Sequence, residues 1–94
     1  GGGFFRLTYV AMDDETLKQA ILSAVKTRGV GKTICPSEVA RTLAHDWRAL
    51  MPDVRRVGQS LADAGHIAVT QKRNPVNAFE AKGPIRFGLP VASD

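Results

Sequence analysis

The sequence holds a single cysteine, Cys35, so no disulfide can form within the chain. A fold needing no covalent staple is expected, in a reducing compartment, and a cytoplasmic location follows by default. No apolar run approaches the roughly 20 residues needed to span a bilayer, so no membrane association is expected. The opening Gly1 to Leu7 has no basic segment before its apolar part and does not read as a secretory signal. Aromatic residues are few, with one Trp and one Tyr. A large excess of one charge is also lacking, since the formal net charge is only +4.

The distribution of that charge says more than its total. Residues 1–28 carry four basic and three acidic groups, and 29–45 carry two and one. Residues 46–65 carry three of each, whereas 66–94 carry four basic and two acidic. The excess is thin and has its largest share in the last third. It permits a polyanionic partner without requiring one.

What is present is one small globular domain. Ninety-four residues with 44% hydrophobic content suit a single core that depends on tight packing of a few Leu, Ile, Val and Phe side chains. Residues 1–12 stand apart, as a flexible arm, a short strand around Leu7 and Tyr9, or a remnant before a natural start at Met12. From Asp13 the signals sharpen. Asp13, Asp14 and Glu15 place negative charge at the positive end of a helix. Leu17, Ile21, Ala24 and Val25 form one apolar stripe, Lys26 and Arg28 fall in the last turn, and Gly29 is a left-handed stop.

Lys32 to Cys35 is short and β-branched, an extended link or brief strand. Pro36 then fits the first position of a second helix, with Val39, Ala40 and Leu43 on its buried face. The chain turns between Ala44 and Leu50, with Trp47 in a helical turn, and Pro52 is expected to open a third helix. Val54, Val57, Gly58, Leu61 and Ala64 share one face of it, and Gly65 ends it. His66 to Gln71 alternates as a half-buried strand, Lys72 to Pro84 is a polar loop, and Pro84 to Leu89 alternates again. This order predicts an α+β, mainly α fold: a winged helix-turn-helix of three helices plus a C-terminal β-hairpin wing, over residues 13–89, with 90–94 as a loose tail.

Gly31 to Arg41, Trp47-Arg48, Leu50-Met51-Pro52, Ala64 to Ile67, Val69 to Gln71 and Gly83 to Arg86 together resemble a small bacterial family of unknown function. The resemblance covers about residues 14–89. It implies a winged-helix-like domain and no established biochemical role.

Several motifs carry less chemistry than they first suggest. Gly31-Lys32-Thr33 would complete a phosphate-binding loop, but Lys26 stands where the first glycine is required, and the run follows a helix rather than a strand. A helix stop and a turn are the expectation. Cys35 precedes a helix, but neither His45 nor His66 completes a triad pattern, so a half-buried thiol is expected. One Cys and two distant His do not make a zinc site. The chain is expected not to be an enzyme and to need no cofactor. Trp47 is expected to plug a helix junction. Phe79, an apolar ring in a polar loop, either folds back or meets a partner.

The basic residues point to double-stranded DNA. In a helix-turn-helix, Arg55, Arg56, Gln59 and Ser60 of the third helix would face bases and phosphates, with Arg48 nearby. Lys72, Arg73, Lys82 and Arg86 lie in or beside the wing and would follow the backbone. Asp53 and Asp63 flank the arginines and oppose phosphate. The alternatives are a solvated polar face or docking to another protein without DNA. The sequence leaves the oligomeric state open, with a monomer favoured.

Overall fold

The computed structural model describes residues 13–78 and 80–90. The expectations for residues 1–12, for Phe79 and for the tail from 91 lie outside the described residues. Three helices, α1 (Asp14–Arg28), α2 (Pro36–Leu43) and α3 (Trp47–Asp63), pack on a four-stranded antiparallel sheet. Its strands are β1 (Thr33–Ile34), β2 (Ala68–Gln71), β3 (Asn74–Pro75) and β4 (Arg86–Gly88), in spatial order β1-β4-β2-β3. The result is an α+β domain, mainly helical, with a winged-helix-like topology.

Local chemistry sets the elements. Asp13 accepts the Thr16 amide at 2.8 Å and caps α1, which buries Leu17, Ile21 and Val25 on one stripe. Gly29 at φ 101° ends the helix. Cys35 is the cap residue of α2; its N–H donates to Glu38 Oε2 at 3.0 Å, and Pro36 fills the first helical position.

The third helix begins earlier than the sequence suggests. It starts at Trp47, and Pro52 lies inside it. A proline there removes one helical hydrogen bond, that to the Arg48 carbonyl. Arg48 is exposed, so water can satisfy that oxygen, while Leu50 is buried and Trp47 packs on the core. Burial of these two side chains extends the helix through the proline.

The sheet meets the helices through one row of side chains. Ile34 lies opposite Phe87, and Phe87 opposite Val69, and all three are buried. The Phe87 ring rests against Gly58 of α3. A side-chain carbon at Gly58 would overlap Phe87 Cζ and lie 2.8 Å from Cε1, so glycine is what lets helix and sheet approach this closely.

The wing also departs from a plain loop between two strands. After β2 the chain reverses through Lys72-Arg73 into β3, with Gln71 paired to Asn74. Both turn residues have positive φ, 52° and 71°. A two-residue hairpin turn of this kind normally uses Asn-Gly, and the sequence carries no such signal. The chain then crosses back over α3, burying Ala78, before β4.

Candidate nucleic-acid interface

The middle of α3 is engaged by its own domain. Arg55 donates to the Gly83 carbonyl at 2.9 Å, and its buried Nε finds no hydrogen-bond partner among the described residues. Gln59 Oε1 accepts the Ala78 amide at 2.7 Å, and its Nε2 donates to Asp63 at 2.8 Å. These bonds fasten the segment between β3 and β4 along the side of α3 that was expected to face a groove. Two of the four expected base-reading residues thus position the wing.

Arg56 turns the other way. It donates to both carboxylate oxygens of Asp14 on α1, at 3.0 and 2.8 Å, and reaches Asp53 at 3.4 Å. These bonds hold the Asp14 carboxyl below its ordinary pKa and raise the guanidinium further above its own. Ser60 is exposed and shares a shallow hollow of about 320 Å³ with Asp14, Lys18, Arg56 and Asp63, where charges of both signs meet.

In the wing the expected cations divide. Arg86 is not free: its Nε donates to Thr33 Oγ1 at 2.9 Å and its Nη2 to the Thr33 carbonyl at 3.1 Å, fastening β4 to β1. Arg28 donates to the same carbonyl and pairs with Glu38 at 2.7 Å. The Glu38 carboxyl is held low by the Cys35 amide first and by Arg28 second. Lys72, Arg73 and Lys82 are exposed and form no ion pair among the described residues.

A further cluster lies at the corner between α2 and α3. The Arg41 guanidinium sits 4.6 Å from the centroid of the Trp47 ring, and that of Arg48 sits 4.5 Å from it. Neither arginine has an acidic partner among the described residues. Sequence reasoning included Arg48 but missed Arg41 and the role of the ring, because α2 ends between the two arginines and no single helical period links them.

Helix α3 links the corner to the wing. Arg48 and Arg55 are seven residues apart on α3, hence on the same side and about 10 Å apart along the axis. Arg55 holds Gly83, next to Lys82. Gln71 Nε2 donates to the carbonyls of Lys82 and Pro84, bringing Lys82 to the end of β2, where the Lys72-Arg73 turn begins. Five cations in these two regions are exposed, Arg41 and Arg48 at the corner and Lys72, Arg73 and Lys82 in the wing, while Arg55 between them is half-buried.

Cys35 is half-buried with its Sγ 3.1 Å from Ser37 Oγ. No group of three His, Cys, Asp or Glu side chains suited to a metal ion occurs among the described residues. No helix among them is long and apolar enough to cross a membrane.

Fold and surface together define a small α+β domain with winged-helix-like topology and exposed cations at the α2–α3 corner and at the wing tip. The family model described as protein of unknown function (DUF3253) matches residues 14–90, and the chain belongs to that family. No curated protein matches it.

Proposed function

We propose that this domain binds double-stranded DNA through the sugar–phosphate backbone, using the α2–α3 corner and the wing rather than base readout by the middle of α3. The observation that carries this reading is the set of exposed cations without ion pairs among the described residues, Arg41 and Arg48 at the corner and Lys72, Arg73 and Lys82 in the wing. Phosphate contacts need exposed cations without acidic partners, and these residues meet that condition. Base readout needs free donors and acceptors on a helix that can enter the groove. Arg55, Arg56 and Gln59 have spent theirs within the domain.

Fluorescence anisotropy with a random duplex at low salt tests the proposal. Binding should be nearly independent of sequence and weaken steeply with salt, with a log–log slope of about 0.9 per phosphate engaged. Absence of binding at about 10⁻⁴ M duplex sinks it.

A protein-docking role is the second reading, favoured by one feature on the sheet's outer face. Val30, 84% exposed, borders a trough of about 440 Å³ with Ala68, Gly88, Leu89 and Pro90. Exposed apolar surface of this kind suits a partner chain. No duplex binding, together with a nuclease-insensitive pull-down abolished by Val30→Asp, would decide for it.

A further inference from the structure

We infer that Arg41, Trp47 and Arg48 form a clamp for one phosphoryl group, the ring holding two guanidinium groups ready for an anion. For its physiological ligand, a backbone phosphate, this rests on the DNA-binding reading above.

Two like charges set 4.6 and 4.5 Å from one ring centroid repel each other. The face of an indole attracts each cation and offsets part of that repulsion. A carboxylate would offset more, but neither arginine pairs with one among the described residues. Asp46, next to Trp47 in sequence, is exposed and forms no ion pair, and Glu38, three residues before Arg41, is paired with Arg28. The cluster therefore carries two uncompensated charges, which a bridging anion relieves.

The chemistry of the side chains selects the anion. A guanidinium held over a ring keeps its in-plane N–H donors at its edge, in the fork that matches phosphate oxygens. Such forks suit a phosphoryl group, which in a backbone phosphodiester offers two unesterified oxygens and one negative charge. Trp47 packs partly on the core, so the ring has a fixed place from which to hold both arginines. The corner also lies at the start of α3, where a backbone phosphate would add to the contacts made by the wing.

Trp47 is the only tryptophan, so its emission reports this site alone. The full chain is titrated with a random 15-base-pair duplex and, separately, with inorganic pyrophosphate, following Trp47 emission in both and anisotropy in the first. Both ligands should change the emission saturably. Arg41→Ala and Arg48→Ala should each weaken duplex binding about 3- to 10-fold and lower the salt slope by about 1. Arg48→Lys, which keeps charge but loses the fork, should fall between wild type and Arg48→Ala. Both positions are exposed, so melting temperatures should not move, and a binding loss cannot be assigned to unfolding.

Duplex binding by anisotropy with unchanged Trp47 emission overturns the clamp and leaves the DNA reading intact. Unchanged emission with both ligands also overturns the clamp. So does an unchanged salt slope in both alanine variants. A saturable response to pyrophosphate with no duplex binding upholds a phosphoryl clamp and overturns the DNA reading.

Discussion

Gln59 accepts the Ala78 amide at 2.7 Å and so joins the middle of α3 to the segment that returns from the wing. The bond is partly buried and its acceptor is a side chain, so truncation leaves an amide without a partner. Gln59→Ala should destabilise the domain by about 1–3 kcal/mol, measured by urea melts. Exchange of the Ala78 amide should quicken in the same variant. Duplex affinity should keep its sequence independence and salt slope. A sequence-dependent loss would return Gln59 to base readout.

Gly58 faces the Phe87 ring with no room for a methyl group. Alanine in a helix normally gains about 1 kcal/mol over glycine. Here the overlap should win, and Gly58→Ala should lose about 1–3 kcal/mol net, seen in the denaturation midpoint. Adding Phe87→Leu should recover part of the loss, because the smaller side chain clears the space. Wild-type stability in Gly58→Ala would refute the close approach.

The Lys72-Arg73 turn places two side-chain-bearing residues in the left-handed region. Each costs on the order of 1 kcal/mol. Replacing the pair with Asn-Gly should raise the melting temperature, by about 4–8 °C for each kcal/mol recovered. The same change removes two cations from the tip, so the salt slope of duplex binding should fall by about 2. Higher stability with unchanged DNA binding would remove the wing tip from the interface.

Three carboxylates are held below their ordinary pKa values: Asp13 by the Thr16 hydroxyl and then its amide, Asp14 by Arg56, and Glu38 by the Cys35 amide. Each favours the folded state fully above its unfolded pKa, near pH 4. That contribution fades as pH falls through the lower folded value. Melting temperature should therefore drop as pH is lowered from about 4, and Asp14→Asn should flatten the drop. An unaltered acid profile in Asp14→Asn would deny the Arg56 link a part in it.

Much of the fold can be read along the chain, since the stripes at Leu17, Ile21 and Val25 and at Val54, Val57 and Leu61 are buried as their spacing implies. Ile67, Val69 and Phe87 follow in the same way. The start of α3 was hidden because a proline rule that holds for local hydrogen bonds yielded to burial of Leu50 and Trp47. Strand β3 was hidden because Lys72-Arg73 lacks the residues its turn prefers. The site was less legible for a different reason. Whether Arg55, Arg56 and Gln59 are free depends on Gly83, Asp14 and Ala78, all of which lie 19 or more residues away. A helical wheel shows which way a side chain points and not what it meets there.

Among the described residues Phe87 is the largest fully buried side chain, and it comes on their last strand. Its neighbours across the sheet come from Ile34, far earlier in the chain, and from Val69. During synthesis the three helices must therefore wait for the C-terminal strand, with the groove beside Gly58 open and its apolar lining wet. Contacts so distant in sequence slow the final closure. A nascent or truncated chain ending before residue 87 would expose a sticky seam between helix and sheet, the kind of surface that chaperones engage and that drives aggregation.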